Sequence, residues 1–270
     1  MSGVLKDSIV FTLDGHKSIQ ELQVGDKLLT HHNHYREVKE IQQTEHVKDD
    51  LLVIKAWGCR PLVVNKETEL QVFEIGNKRT EWAQAKDLHN YHMLATTNRV
   101  DDENLIYCSR SYAEEKFEML IDIIKKYIEQ CGECDQTEDI RGKPEYEKYL
   151  ELLTDEEKSA FDDFHEWSKQ SIMKVISNYL ENGGNLLPQP FTDKLYHLTR
   201  HIGFTMFDEN GFVSRTSRDE IMKNRYVDEK TGVDYFHFTV EPYEGDETTC
   251  YNVLMDEDPS FTAEAFVIHS

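Results

Sequence analysis

Over the first hundred residues, apolar positions fall in short runs separated by turns, the pattern of strand and turn. Ser8-Ile-Val-Phe-Thr-Leu13 alternates and runs into Asp14-Gly15, a dipeptide suited to a tight turn. Ile19 and Leu22 lead to Val24-Gly-Asp-Lys-Leu-Leu29, a turn that feeds another strand. Further β-rich runs fall at Tyr35–Ile41, Leu51–Ala56, Pro61–Val64 and Glu69–Ile75. Short strands this closely spaced, with almost no helical period among them, predict a sandwich or barrel-like β fold.

From Tyr112 the period lengthens. Ala113–Gln130 carries Phe117, Leu120, Ile121, Ile124 and Ile128 at helical spacing, with charges on the other face. Gly132–Pro144 is polar and reads as a loop. Glu145–Leu153, Asp155–Trp167 and Lys169–Glu181 are helical again, with Thr154 as an N-cap and Glu157 completing a capping box. Pro188-Gln-Pro190 breaks the chain before a helix over Phe191–Ile202 that stops at Gly203. After Arg225 the β texture returns in Tyr235–Val240, Tyr251–Met255 and Ala265–His269. The order β, α, β predicts an α+β protein: a helical domain over 106–230 inserted into a β domain made of 1–105 and 231–270. Within the insert, Lys126-Tyr-Ile-Glu-Gln-Cys-Gly-Glu133 and Asn178-Tyr-Leu-Glu-Asn-Gly-Gly-Asn185 share a pattern, each closing a similar apolar helix, as a pseudo-twofold pair would.

Composition narrows the function classes. At 270 residues with 39% apolar and 11% aromatic side chains, the chain can build a real core, and disorder is not its default state. Its 52 acidic against 30 basic residues give a net charge of −22, which repels phosphate backbones and disfavours nucleic acid as a partner. The densest basic stretch of the second half, Arg215–Arg225, is interrupted by Asp219 and Glu220. No apolar run approaches the ~20 residues of a membrane span, and the start lacks the pattern of a signal peptide. Five cysteines, an odd and scattered set, point to free thiols in an intracellular, reducing compartment.

The outer segments resemble a known family. Ser8-Ile-Val-Phe-Thr-Leu-Asp-Gly-His-Lys-Ser-Ile-Gln-Glu-Leu-Gln-Val-Gly-Asp-Lys-Leu-Leu-Thr30 is similar to the opening block of inteins and hedgehog-type Hint domains. Tyr35-Arg-Glu-Val38, Leu62-Val-Val-Asn-Lys-Glu-Thr-Glu-Leu70 and Trp82-Ala-Gln-Ala-Lys-Asp-Leu88 resemble the next pieces of the N-terminal half. Cys250–His269 resembles the two C-terminal splicing blocks. The resemblance covers roughly residues 3–97 and 235–270 and implies an all-β horseshoe formed by both chain ends. The repeated Tyr-aliphatic-Glu helices, with Phe191–Phe204 after the second, resemble a LAGLIDADG-type homing endonuclease insert, though the repeat spacing is short for one.

What the resemblance implies for chemistry is mostly loss. Splicing in this family begins with an acyl shift onto a Cys or Ser side chain, helped by an imidazole that protonates the leaving amide. The nucleophile position falls at Gly3, which has no side chain; Ser2 is adjacent, but with Met1 removed no peptide bond would precede it. The internal Thr-x-x-His matches Asn65-Lys-Glu-Thr68, placing a hydroxyl where the imidazole belongs. A further family His matches Pro259, and the terminal Asn that cyclises matches Ser270; only the penultimate His269 remains. An engineered trap changes one or two positions, so losses at four favour a free-standing, degenerate protein. In the insert, the metal-holding Asp positions are Cys131 and Gly183, while Glu129 and Glu181, two residues earlier, read as surface carboxylates. Mg²⁺ enters as a cofactor only if that insert cleaves DNA; otherwise no cofactor is expected.

Other constellations weigh less. Cys131-Gly-Glu-Cys134 is a lone CxxC without the second pair a structural zinc site needs, and Cys108 and His165 join it only by coincidence of fold. His31-His-Asn-His34 has the composition of a metal tract but falls in a hairpin connection, where solvated polar residues are ordinary. Asp256-Glu-Asp258 lacks the spaced oxygen ligands of a calcium loop and reads as a solvated turn. The expectation is therefore a non-enzymatic structural or interaction protein. It would dock on a basic protein or within a larger assembly, a viral one among them, and on no membrane. The alternative is an intein or homing endonuclease with residual activity, acting through His269 or through Glu129 and Glu181.

Overall fold

Alternation at the start of the chain becomes strand pairing. In the computed structural model, β1 (Val4–Leu5) and β2 (Ile9–Thr12) precede a turn at Asp14-Gly15 into β3 (Gly15–Ser18), which pairs antiparallel with β2. Gly15 sits at φ 114°, a conformation closed to residues with a Cβ, which is why the turn carries glycine there. The described residues are 2–32, 34–56, 59–96, 110–131, 144–159, 225–227, 233–256 and 258–270. They fall into two compact units, one within 1–100 and 216–270, the other within 101–199.

Among the described residues of the first unit, every strand pairing is antiparallel. β4 (Lys27–Leu29) is followed by the long β5 (Tyr35–Glu45), whose first residues pair with β4 and whose remainder pairs with β14 (Thr249–Met255) from the far end of the chain. β6 (Leu51–Ala56), β7 (Leu62–Asn65), β8 (Glu69–Glu74), β9 (Arg79–Gln84) and β10 (His92–Thr96) complete the N-terminal part. β11 (Arg225–Val227), β12 (Asp234–Phe236), β13 (Phe238–Pro242), β15 (Ser260–Ala263) and β16 (Phe266–His269) come from the C-terminal part. The two parts interleave. β1 lies between β14 and β7, with Val4 opposite both Tyr251 and Val64, and β16 bonds β8 while β15 bonds β2. One core therefore draws Val10, Leu28, Val64 and Leu70 together with Phe261 and Phe266, all fully buried. Each such side chain contributes roughly 1.5–3 kcal/mol relative to exposure, so neither end keeps a core without the other.

The β15–β16 hairpin turns at Glu264 and Ala265, both at positive φ (47° and 74°). A two-residue turn of this hand suits the strand twist but strains residues that have a Cβ. Glu264 offsets the strain with a clamp on β2: its N–H donates to the Ile9 carbonyl at 2.8 Å and its Oε1 accepts from the Ile9 N–H at 2.9 Å.

Several of the expected β-rich runs match closely, and Leu51–Ala56 matches end to end. The strand expected over Tyr235–Val240 is instead two, β12 and β13, which pair with different neighbours, β10 and β6. Several strands were not expected, β9, β10 and β15 among them. β9 is nearly all polar along Arg79-Thr-Glu-Trp-Ala-Gln84 and pairs with β8, while every residue of β10 and β15 is buried, so neither alternates.

The second unit contains α1 (Arg110–Cys131), α2 (Pro144–Leu152) and α3 (Asp155–Lys158). Pro144 opens α2, where its fixed φ and missing N–H carry no penalty. The capping box forms as its residues predict: Glu157 N–H donates to Thr154 Oγ1 at 3.1 Å and Thr154 N–H donates to Glu157 Oε2 at 2.8 Å. Lys126 of α1 also reaches Glu157 at 2.6 Å, and the Tyr127 and Tyr149 rings meet edge-on at 5.3 Å. The loop expected over Gly132–Pro144 lies almost wholly outside the described residues. So do the helices expected over Lys169–Glu181 and Phe191–Ile202 and the second copy of the internal repeat.

Candidate functional site

Because β1 is held between β7 and β14, Gly3 sits over the turn that follows β7. Its N–H donates to Thr68 Oγ1 at 2.9 Å, and the same hydroxyl donates to the Gly3 carbonyl at 2.9 Å. The Asn65 N–H donates to that carbonyl as well, at 3.0 Å. Asn65 shapes the turn from inside: its Oδ1 accepts from the Glu67 N–H at 2.8 Å and its carbonyl from the Thr68 N–H at 3.0 Å. Gly3, Asn65 and Thr68, named separately from the resemblance, thus form one buried group.

His46 joins them, and sequence alone did not single it out. The Asn65 amide lies 3.0 Å from His46 Nδ1, which makes that nitrogen the acceptor. Burial holds the imidazole pKa down, so the ring is neutral near pH 7. What touches the Gly3 amide is therefore a hydroxyl, which does not ionise in the physiological range and cannot deliver a proton as an imidazolium would.

Space at Gly3 is as restrictive as chemistry. A Cβ there would meet the Tyr251 carbonyl oxygen at 3.0 Å and the Cys250 Cβ at 3.2 Å. Cys250 is a thiol beside the position, but burial, and then Glu45 and Glu247, push its pKa up to about 12. It stays protonated, and the thiol form is a weak nucleophile.

Pro259, His269 and Ser270 form a second group. Ser270 N–H donates to the Pro259 carbonyl at 2.9 Å, and His269 Nδ1 lies 2.9 Å from the Ser270 oxygen, so that nitrogen carries the proton. Trp82 packs edge-on against His269 at 4.9 Å. Ser270 offers no amide to cyclise, and Pro259 offers no side-chain donor.

Asp258 corrects one expectation: it is not part of a solvated turn. It is 8% exposed, and the turn at His31–His32 brings both imidazoles onto it. His31 Nδ1 lies 3.2 Å from Oδ1 and His32 Nδ1 3.1 Å from Oδ2. Ser260 Oγ donates to Asp258 Oδ1 at 3.0 Å, lies 2.7 Å from His31 Nδ1 and accepts from the His31 N–H at 3.1 Å. Burial opposes ionisation of Asp258, but hydrogen bonds from His32, Thr30 and Ser260 outweigh it and hold the carboxyl below its ordinary pKa. Two segments weak as separate metal candidates are one cluster in space.

Of the endonuclease-like positions, Glu129 is exposed on the last turn of α1, as a surface carboxylate would be, and Cys131 is half-buried. Glu181 and Gly183 lie outside the described residues. Among the described residues, no helix is long and apolar enough to cross a membrane.

No protein-family profile matches the chain. Over 82 residues it is 41% identical to the ATP-dependent DNA helicase Hel308 of Thermococcus kodakarensis; that match takes in 30% of this chain and 7% of the helicase. Similar solved structures include the DnaB intein from Synechocystis sp. PCC 6803, at 6% identity and TM-score 0.43, matched over 100% of this chain and 99% of that one. The gp41-1 intein, at 9% identity and TM-score 0.38, is matched over the same shares. So is an intein-like domain from Clostridium thermocellum, at 9% identity and TM-score 0.40. Likeness at this level says nothing of activity.

Proposed function

We propose that this chain is an intein-like Hint protein that does not splice and that serves as a structural or protein-binding module. The observation that carries the reading is the pairing of Gly3 with Thr68. At the position where the resemblance calls for a nucleophile there is no side chain, and both backbone polar groups are tied to a hydroxyl. An acyl shift needs an attacking atom on that residue and a proton for the departing nitrogen, and neither is supplied. At the other end, Ser270 replaces the amide that would cyclise. The scaffold does not need this chemistry, since its stability comes from the interleaved core.

The partner that fits is a protein with a basic surface. A net charge of −22 accelerates encounter with such a partner and rejects acidic ones, DNA among them. The helicase activity of the matched relative is not carried over to this chain, because the match takes in 7% of that protein.

The test is to express the chain between two reporter flanks and read intact masses over time, with and without added thiol. The expected result is a single uncleaved species. Excised or ligated products from the unmodified sequence would overturn the reading. A companion protein carrying Gly3→Cys, Thr68→His and Ser270→Asn has attacking atom and proton donor both present, and is expected to release some of its N-terminal flank on thiol addition if β14 yields to the new Cβ and the scaffold stays intact.

A further inference from the structure

His31, His32 and Asp258 have no part in the function proposed above. Two histidines adjacent in sequence would point to opposite faces of a strand. Here they occupy the turn after β4, where their rings lie tilted face to face with centroids 3.7 Å apart and both Nδ1 atoms against one carboxylate. A hydrogen-bonded Asp–His pair is common. Two imidazoles on the two oxygens of one buried Asp form a ligand set.

We propose that His31, His32 and Asp258 bind a single divalent transition-metal ion of the zinc class. One ligand atom from each residue lies within 4.8 Å of the other two. A tetrahedral ion with bonds of about 2.0–2.2 Å holds its ligands about 3.3 Å apart. The histidine–carboxylate separations, 3.2 Å to Oδ1 and 3.1 Å to Oδ2, are each near that spacing but fall on different oxygens, so Asp258 meets one ion through both oxygens or after a small rotation of its carboxylate. Two imidazole nitrogens and one carboxylate suit Zn²⁺, Co²⁺ or Ni²⁺, whereas Ca²⁺ and Mg²⁺ need an oxygen cage that these residues do not supply.

The surroundings prepare the site. Ser260 Oγ donates to Asp258 Oδ1 and accepts from the His31 backbone N–H, which positions both residues, while its 2.7 Å contact with His31 Nδ1 gives way when that nitrogen takes the ion. Trp82 packs edge-on against His31 at 5.6 Å and shields its inner side. His32, at 65% side-chain exposure, leaves the outer side open for entry and for a water as fourth ligand. Ligation through Nδ1 places each ring's proton on Nε2, and an imidazolium, which has no free lone pair, must lose a proton first, so uptake competes with protons.

The experiment is a Co²⁺ titration of the metal-stripped full chain near neutral pH, followed by visible absorption. The expected result is one equivalent bound with the ligand-field bands of a four- or five-coordinate site and no thiolate charge-transfer band. His32→Ala, at an exposed position, leaves the fold intact and is expected to weaken binding about tenfold or more. Asp258→Asn is expected to do the same. His237→Ala, an exposed histidine of the same unit, is expected to change nothing. Equal affinity in the parent and in His32→Ala would overturn the proposal. So would no Co²⁺ spectrum in the parent, or a thiolate band that places the metal on Cys131.

Discussion

Replacing Gly3 with Ala tests whether position 3 has room for a side chain. The added Cβ would sit 3.0 Å from the Tyr251 carbonyl oxygen and 3.2 Å from both the Tyr251 carbonyl carbon and the Cys250 Cβ. Two of those three atoms are backbone of β14, a strand fixed along its length by β5, so relief requires the strand and not a side chain to move. Overpacking of this kind costs about 1–3 kcal/mol. The loss of unfolded-state freedom on replacing glycine returns about 0.4–1 kcal/mol. The net expectation is a loss of roughly 1–2 kcal/mol, or about 2–8 °C in melting temperature for a protein of this size. Gly76→Ala is the matched control, since the nearest atom to its Cβ is the flexible Glu74 Oε1 at 3.9 Å. It is expected to be neutral or stabilising by up to about 1 kcal/mol. Thermal unfolding of the two variants beside the parent gives the comparison, and amide exchange at Gly3 and Asn65 localises the effect. A Gly3→Ala protein as stable as Gly76→Ala, with unchanged protection at Asn65, would show that the corner has room for a side chain and refute the steric argument.

Three further outcomes are expected. His46 and His92 are held neutral mainly by burial, so their folded pKa values lie below the unfolded value of about 6.5. The unfolded chain binds more protons below that pH, so urea midpoints are expected to fall from pH 7 to pH 5, and less steeply in His92→Gln; a midpoint flat over that range would contradict the assignment. Thr154→Ala removes one half of the capping box and is expected to cost about 0.5–2 kcal/mol, read as faster amide exchange at Glu157 with the β-rich unit unaffected. In a gel-shift titration near physiological salt, with Mg²⁺ present, DNA is expected to stay free and uncut; a tight complex that weakens steeply with added salt would reveal a basic groove that the net charge conceals.

What could be read from the sequence was what is local. Thr154 and Glu157 are three residues apart, and their box forms as read because nothing distant competes for either side chain. β6 was legible because Leu51-Leu-Val-Ile54 is a short apolar run of strand length. His92-Met-Leu-Ala-Thr96 is buried at every position, so its apolar run carried no period to read. The site split along the same line. The resemblance placed Gly3 and Thr68 at corresponding family positions, but nothing near His46 in the chain announces Asn65. That contact exists because the start of β6 runs beside the end of β7, with Leu51 opposite Asn65. Asp258 was misread for a related reason. An acidic run looks solvated unless its covering residues are known, and these are 226 residues earlier.

The placement of β1 between β7 and β14 has a consequence for biosynthesis. Leu5 leaves the ribosome long before its neighbour Cys250 exists. At about 5–20 residues per second the wait is roughly 10–50 s. During that time β1, β2 and β5 have emerged, but β14 and β15, which cover their edges, have not. Bare strand edges are templates for association with other chains. The nascent first half is therefore the stage of this protein's life most exposed to misassembly, and the one at which a chaperone that shields strand edges would change its yield most.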